Sequence, residues 1–370
     1  MTISAVAAVV REKNGPFRIE DVTLEEPRAD EVLVRMRAVG LCHTDLFCRA
    51  QGVPVPMPLV LGHEGAGVVE RVGKNVTKVA PGDHVVMTYD SCGVCPCCDR
   101  GERAYCHAFF PRNFGGLRGD GSSAITARGE RIHGHFFGQS SFASRALANV
   151  RNVVRVPAAA PLELLGPLGC GVQTGAGTVL NALKPPVGSS IAVFGVGAVG
   201  LSAVMAARIA GCSRILAVDL VPARLKLARS LGATHTFDGR ASDLAAAIAS
   251  ATGGAGVDFA IDTTANPRVL RSAVDALAVR GVCAAVGAAS FGTDVAIDTG
   301  ALLAKGQTLR GVIEGESLPD RFIPALIELR QAGQLPFERL ITFYRFEDIE
   351  RAARDAESGA AIKPVLMFDA

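Results

Sequence analysis

The spacing of apolar positions along this chain changes character twice, near residue 173 and again near 315. Before the first change, short alternating runs set off by Pro-Gly turns predict strands. Val32–Arg37 alternates, and Gly67–Val72 and Asp83–Met87 follow it. From 174 to 314 the apolar runs become continuous and β-branched. Ile191–Phe194, Ile215–Asp219, Val257–Asp262, Val282–Gly287 and Leu309–Ile313 read as parallel strands buried on both faces. Helical stretches over 222–232, 241–251 and 267–279 lie between them, so this segment predicts βαβ units and a doubly wound parallel sheet. The remainder carries a helix over Phe322–Ala332 and strand-like Leu340–Tyr344 and Val365–Phe368, expected to return and complete the first domain. The expected organisation is therefore a β-rich domain over 1–173, an α/β domain over 174–314 and a returning segment over 315–370.

One stretch tests that organisation. No charge occurs from Pro185 to Ala207, a length that suggests a membrane span. Pro185-Pro186 and the glycines at 188, 195, 197 and 200 interrupt it, and a strand ending at Phe194 followed by a buried helix over Leu201–Ile209 accounts for it better. A length of 370 residues fits two domains, and 49% hydrophobic with 20% charged residues fits an ordinary soluble protein. A net charge of +2 without a long basic run argues against nucleic acid or an anionic membrane as partner. The first residues lack a secretory pattern, so ten cysteines point to reduced thiols and metal ligation in the cytoplasm rather than to disulfides.

Gly195-Val196-Gly197-Ala198-Val199-Gly200 follows a predicted strand and opens a predicted helix. In that setting the glycines allow a tight turn and let a pyrophosphate approach the N–H groups of the helix N-terminus, a Rossmann arrangement. Asp219 ends the next strand, nineteen residues past Gly200, where a carboxylate can take the adenosine ribose hydroxyls. That carboxylate repels a 2′-phosphate, and Leu220-Val221-Pro222 supply no arginine to offset it. Arg224, one turn into the helix, serves the ribose side or lies in solvent. NAD is the expected coenzyme.

The cysteines fall into two groups. Cys92, Cys95, Cys98 and Cys106 read C-x2-C-x2-C-x7-C within fifteen residues, enough to close a tetrahedral structural zinc shell. Cys97 beside Cys98 leaves the third ligand ambiguous on chemistry alone. Cys42, His63 and Cys170 lie far apart in the chain, and three such ligands leave an open position, as catalytic zinc requires.

The order Cys42-His43-Thr44-Asp45, Gly62-His63-Glu64, four-cysteine lobe, Gly169-Cys170-Gly171 and G-x-G-x-x-G resembles the zinc-dependent medium-chain alcohol dehydrogenases over essentially the whole chain. Gly138-Gln139-Ser140-Ser141-Phe142 and Gly166-Pro167-Leu168-Gly169-Cys170-Gly171 resemble the aryl-alcohol (benzyl-alcohol) branch. The resemblance implies a GroES-like catalytic domain joined to a Rossmann coenzyme domain. It implies two zinc ions per chain, with Cys42, His63 and Cys170 on the catalytic ion, Glu64 as a transient ligand and Asp45 orienting His63. The family spacing selects Cys98 over Cys97. Thr44 is expected to take the alcohol proton, and His43 and Lys363 to face the coenzyme pyrophosphate. Thr174 and Val199 are expected against the nicotinamide. Phe47 stands where liver-type relatives carry a histidine, so the outer end of the proton relay differs here.

Positions matching the family's substrate cleft are Thr88, Phe136, Phe137, Ala288 and Ile313, with Phe47 near the mouth. This mostly apolar set suits an aryl or allylic primary alcohol more than a sugar. The cleft is expected at the carboxyl ends of the parallel strands, between the domains. Alternatives are other apolar primary alcohols such as terpenols or cinnamyl alcohols, and a glutathione-dependent formaldehyde dehydrogenase, which His107-Ala108-Phe109-Phe110 argues against by offering no basic anchor. A non-catalytic zinc and nucleotide binder is a distant alternative, since no catalytic ligand is missing. A homo-oligomer, dimer or tetramer, is implied by the resemblance and by the exposed sheet edge such a domain presents.

Overall fold

A computed structural model describes residues 2–369 and resolves two compact units. The first comprises the chain through Cys170, Leu318–Glu328 and everything from Phe337; the second comprises Gly171–Ser317 and Leu329–Pro336.

The first unit is built on two sheets. Its organising strand is Glu31–Gly40, buried at all positions but Arg35 and Arg37 because Val32, Leu33, Val34, Met36, Ala38 and Val39 leave little polar surface. It pairs antiparallel with Glu64–Val72, with Arg145–Asn149 and with the C-terminal strand Lys363–Met367. Gly40 stands opposite both Glu64 and Val365. That register brings the residues just past Gly40, those around His63 and those around Lys363 to one end of the sheet. The returning segment supplies a parallel pair, Ile341–Arg345 beside Lys363–Met367, joined through the helix Ile349–Ser358.

The second unit holds a six-stranded parallel sheet. Its order is His235–Asp238, Arg214–Asp219, Ser190–Phe194, Val257–Asp262, Leu277–Ala285 and Thr308–Gly311. Ala192, Phe194, Leu216, Val218, Ala260 and Cys283 pack one core with Ile248, Ala273 and Val274 of the covering helices. The uncharged stretch is a strand, a glycine turn and the helix Ala198–Ile209, and no helix among the described residues is long and apolar enough to cross a membrane. The pattern misplaced two features. His235–Asp238 is a strand too short and too polar to show a period, and the helix expected to reach 279 stops at Asp275, because Leu277 already pairs with Val257.

One buried charge network braces the first unit. Arg118 donates from Nε and Nη2 to the two oxygens of Glu31 at 2.7 and 2.8 Å, and Arg28 N–H adds a third bond at 2.9 Å. Burial pushes the Glu31 carboxyl upward, but His135, Arg118 and the Arg28 N–H outweigh it and hold the pKa at about 2. A depressed carboxyl contributes stability above its unfolded pKa and loses it as pH falls toward the folded value. Glu31→Gln should therefore cost about 3 kcal/mol near neutral pH by leaving Arg118 with a neutral partner. Denaturant titrations should find that gap shrinking from about pH 4.5 toward pH 2, the window set by the shift. A gap independent of pH would exclude the carboxylate as its source.

Candidate active site

Cys42 is the N-cap of a short helix, His43–Arg49, that starts two residues past the organising strand. Asp45 at the third helical position closes the cap, its Oδ2 accepting the Cys42 N–H at 2.9 Å. The other oxygen, Oδ1, accepts from Gly62 N at 3.0 Å and from His63 Nδ1 at 2.9 Å. Asp45 and His63 are wholly buried. Since an ionised carboxylate only accepts, His63 carries its proton on Nδ1 and leaves Nε2 as a lone pair. Nε2 is buried and has no hydrogen-bond partner.

Gly166–Gly169 forms a 3₁₀ turn lying on strand Glu64–Val72, and it delivers Cys170. A side chain at Gly169 would strike the Met87 carbonyl oxygen at 2.2 Å, and one at Gly166 the Glu64 carbonyl oxygen at 2.4 Å. Thr88 donates its hydroxyl to the Gly169 carbonyl at 2.7 Å, fixing the turn just before the thiol. The ligand atoms of Cys42, His63, Glu64 and Cys170 thereby lie within 4.8 Å of one another. Two thiols, one oriented imidazole lone pair and a carboxylate at that spacing fit a zinc ion with a replaceable fourth ligand.

The electrostatics favour a cation there. The Cys170 contact, working against burial and joined by Lys363 and His63, holds Cys42 well below the ordinary thiol range. Burial opposes charge on His63, but Asp45 raises its pKa well above the usual value, which marks a basic nitrogen. Burial raises the Glu64 carboxyl, and Lys363 works against that rise.

Lys363 is paired inside the first unit. It is 2% exposed, and its Nζ donates to both Glu64 oxygens at 2.8 and 2.9 Å and to the Leu41 carbonyl at 3.4 Å. Those contacts commit its three donors within the first unit. Gly40 makes this possible, because a Cβ there would lie 2.0 Å from Glu64 Oε2. Thr44 is at the second helical position, half-buried, with Oγ1 3.8 Å from Cys42 Sγ, and is not the cap. His43 is exposed and stacks on Phe47 at 6.4 Å.

Phe136 and Phe137 flank His63. The Phe137 ring stacks on His63 at 4.5 Å, and Phe136 meets it edge-on at 5.6 Å. Phe114 backs both, and Phe109 backs Phe137. Residues 136–140 run through left-handed conformations at Phe137, Gly138 and Ser140. Gln139 pins the turn by donating to the His63 carbonyl at 3.0 Å and to the Thr88 carbonyl at 3.1 Å. Gln139, Phe109 and Phe114 were missed as site residues, and only the wording around Gln139 gave a signal. Ala288, exposed, and Ile313, half-buried, belong to the second unit.

The second cysteine group closes as a separate cluster. Cys92, Cys95, Cys98 and Cys106 have their sulfurs within 4.8 Å, and Cys97 lies outside, beside Arg100 Nη2 at 3.5 Å. Backbone N–H groups of Val94 and His107 point at Cys92 and Cys95 sulfurs at 3.5 Å. Those of His107 and Cys98 hold Cys95 at about 6, whereas burial pushes Cys106 up to about 12.

In the second unit, Gly195 takes φ +83°, and a Cβ at Gly200 would meet the Gly195 carbonyl at 2.0 Å. A Cβ at Gly197 would meet nothing within 4 Å, the open cradle a pyrophosphate needs. Asp219 accepts from Val196 N at 2.7 Å and Val221 N at 2.9 Å, one on each oxygen, which leaves lone pairs for ribose hydroxyls. The helix Gly171–Gly177 carries Thr174 and packs so closely on Val199 that a Cβ at Gly175 would lie 2.0 Å from the Val199 carbonyl. Arg224 is half-buried in the first turn of Pro222–Leu231, with Nε unpartnered.

Residues 28–158 match the alcohol dehydrogenase GroES-like domain, and residues 198–331 match the zinc-binding dehydrogenase domain. A geraniol dehydrogenase of Castellaniella defragrans is 48% identical over 99% of this chain and 98% of its own. The chain belongs to the zinc-type medium-chain alcohol dehydrogenases. The crystal structure of a benzyl alcohol dehydrogenase from Acinetobacter calcoaceticus superposes on this dehydrogenase with a TM-score of 0.96 at 46% identity, covering 99% of this chain and 100% of that one. An alcohol dehydrogenase zinc-binding domain protein from Burkholderia ambifaria gives 0.98 at 54% identity, with both chains fully covered.

Asp45→Asn should lower affinity at the Cys42–His63–Cys170 site about 10- to 100-fold while leaving the four-cysteine cluster loaded. Metal content after mild chelation should then fall from two zinc ions per chain toward one in the variant only. Equal retention in variant and parent would remove Asp45 from that role.

Proposed function

We propose that this dehydrogenase interconverts aryl or allylic primary alcohols and their aldehydes, with NAD as coenzyme and zinc in both cysteine sites. The observation that carries the substrate class is the phenylalanine wall on His63, formed by Phe136 and Phe137 and backed by Phe109 and Phe114. An apolar π-rich wall beside a metal ligand favours a flat or unsaturated alcohol over a polyol. The relatives named for geraniol and benzyl alcohol, one allylic and one aryl, support the same class.

When bound, the catalytic zinc supplies Lewis-acid polarisation of the substrate oxygen, and NAD supplies the hydride acceptor. The chain does the rest. Cys42, His63 and Cys170 hold the ion, Asp45 fixes the His63 tautomer, and Glu64 stands beside it held by Lys363. Thr44 accepts the alcohol proton, since its hydroxyl stays by the Cys42 sulfur while Cys42 itself occupies the cap position. With Phe47 in place of a relay histidine, that proton leaves by the ribose or by water.

NAD over NADP follows from Asp219, whose buried carboxylate would face a 2′-phosphate. Arg240 reaches the Leu220 carbonyl at 3.0 Å, but Asp238 neutralises it through paired contacts at 2.8 and 2.9 Å. The purified enzyme should form NADH from geraniol and benzyl alcohol, with kcat/KM at least about tenfold above that for ethanol. It should lose most of that rate when NADP replaces NAD. Activity confined to S-hydroxymethylglutathione would overturn the substrate class.

The strand Thr308–Gly311 ends the parallel sheet, and Val279, Phe291, Leu303 and Leu309 on the last two strands and their connection are exposed. We assign this edge to self-association, two copies pairing along it. Sedimentation should give at least a dimer for the parent and a smaller mass for Leu309→Lys with Leu303→Lys. An unchanged mass would clear this edge.

A further inference from the structure

We propose that Asn152 is a positioning residue for substrate choice, holding Phe137, and with it the aromatic wall, in one place. The inference rests on the aryl or allylic alcohol reading above.

Asn152 ends the turn Val150–Asn152, which carries no metal ligand. The strand that follows, Val153–Arg155, pairs antiparallel with His84–Met87, Val153 opposite Met87, so Asn152 falls beside Thr88. The Thr88 N–H donates to the Asn152 carbonyl at 2.9 Å. The Asn152 side chain is wholly buried. Its Nδ2 donates to the carbonyls of Phe137 at 3.3 Å, Gly138 at 3.2 Å and Thr88 at 3.3 Å. Carbonyls only accept, so the amide must turn its nitrogen to them. Two hydrogens are thus shared among three acceptors, and Oδ1 is left buried without a hydrogen bond. Burying an amide with one end unmet is costly, so packing alone would favour a leucine of similar size here.

What the amide holds is a strained turn. Phe137 is left-handed at φ 50° and ψ 32°, a conformation unfavourable for so bulky a side chain. The N–H groups of the turn end on its first residues: Gly138 bonds the His135 carbonyl, and Gln139 and Ser140 bond that of Phe136. The carbonyls of Phe137 and Gly138 take their bonds from Asn152 instead. Gly138, at φ 63°, is required, since a Cβ there would lie 2.9 Å from Asp90 Cβ and 3.1 Å from Asn152 Nδ2. Such strain persists only where the surroundings over-determine it.

Gln139 and Asn152 hold different ends of this turn. Gln139 donates to the His63 carbonyl and so ties the turn to the ligand set. Asn152 donates to the residue whose ring forms the wall and to the one after it, and none of its three bonds ends on a ligand residue. Without that amide the Phe137 peptide is free to relax toward right-handed backbone, taking the ring off His63, on which it stacks at 4.5 Å. An aryl or allylic alcohol then loses its flat partner, whereas ethanol is too small to use one. Asn152 therefore acts on how well the preferred alcohols bind, and not on the metal or on hydride transfer.

The test is kcat and KM for benzyl alcohol, geraniol and ethanol, with zinc content, in the parent, Asn152→Leu, Asn152→Ala, Phe137→Leu, and Asn152→Leu combined with Phe137→Leu. Leucine keeps the volume without the donors and alanine removes both, so loss of fold in one leaves the other informative. Expected in the Asn152 variants is a rise of about tenfold in KM for benzyl alcohol and geraniol. Zinc content should match the parent, and kcat and the ethanol constants should stay within about twofold. In the Phe137→Leu background, Asn152→Leu should add less than about twofold, because the ring it positions is gone. An unchanged ratio of kcat/KM for benzyl alcohol to that for ethanol in a folded Asn152 variant overturns the proposal. Equal loss on all three alcohols, or a full further loss in the combined variant, assigns Asn152 a general structural role and overturns it as well. A parent that prefers neither benzyl alcohol nor geraniol over ethanol overturns the substrate reading and this inference with it, whereas a selective parent with an unaltered variant leaves that reading standing.

Discussion

A carboxylate with no access to water must be met by donors, and Asp45 is met by three. The Cys42 N–H, the Gly62 N–H and the His63 Nδ1 proton all converge on it. Each comes from a piece of chain that carries or adjoins a metal ligand. A group deprived of solvation is destabilising until every lone pair is used well, so the fold is tied to the geometry that assembles the centre. The helix His43–Arg49 is too short to hold itself. It persists because its cap is also the scaffold of the histidine.

The same logic extends to the far end of the chain. Gly40 has Glu64 on one side and Val365 on the other, so the C-terminal strand is hydrogen-bonded directly to the strand that leads to Cys42. Lys363 then inserts its ammonium beneath the Glu64 carboxylate with almost no exposure. Neither charge would be tolerated there without the other. The returning segment is thus part of the centre, although its residues are about three hundred positions from those they touch.

How much of this was legible in the sequence follows from the range of each interaction. The four-cysteine cluster and the glycine turn are local, so spacing carried them, apart from the choice of Cys98 over Cys97 that resemblance made, and the uncharged stretch resolved into strand, turn and helix as expected. The grouping of Cys42, His63 and Cys170 is not local; resemblance supplied it, and the register at Gly40 and the turn at Gly169 explain it physically. The Lys363–Glu64 pair was not legible, because it depends on a strand pairing that no period reveals. The position of Gln139 was only faintly legible, because it depends on left-handed backbone at Phe137, Gly138 and Ser140, which phenylalanine and serine do not advertise.

The charge inventory of the centre shows why the lysine belongs to it. Cys42, Cys170, Asp45 and Glu64 bring together four buried groups that can each carry a negative charge. A divalent ion offsets two, and His63 must stay neutral at Nε2 to ligate it. Lys363 offsets a third through its contacts with Glu64. What remains is a centre with one net negative charge, far less costly to bury than the ligands alone. The lysine would also compete with such an ion for Glu64, because the Glu64 oxygens accept from Nζ at 2.8 and 2.9 Å. A carboxylate so held would be slow to join an ion at the two thiols and His63, leaving room there for an exchangeable oxygen. Cys42 and His63, which Asp45 holds, and Cys170, which the close glycine approaches at Gly166 and Gly169 hold, are the groups whose placement the fold fixes most firmly.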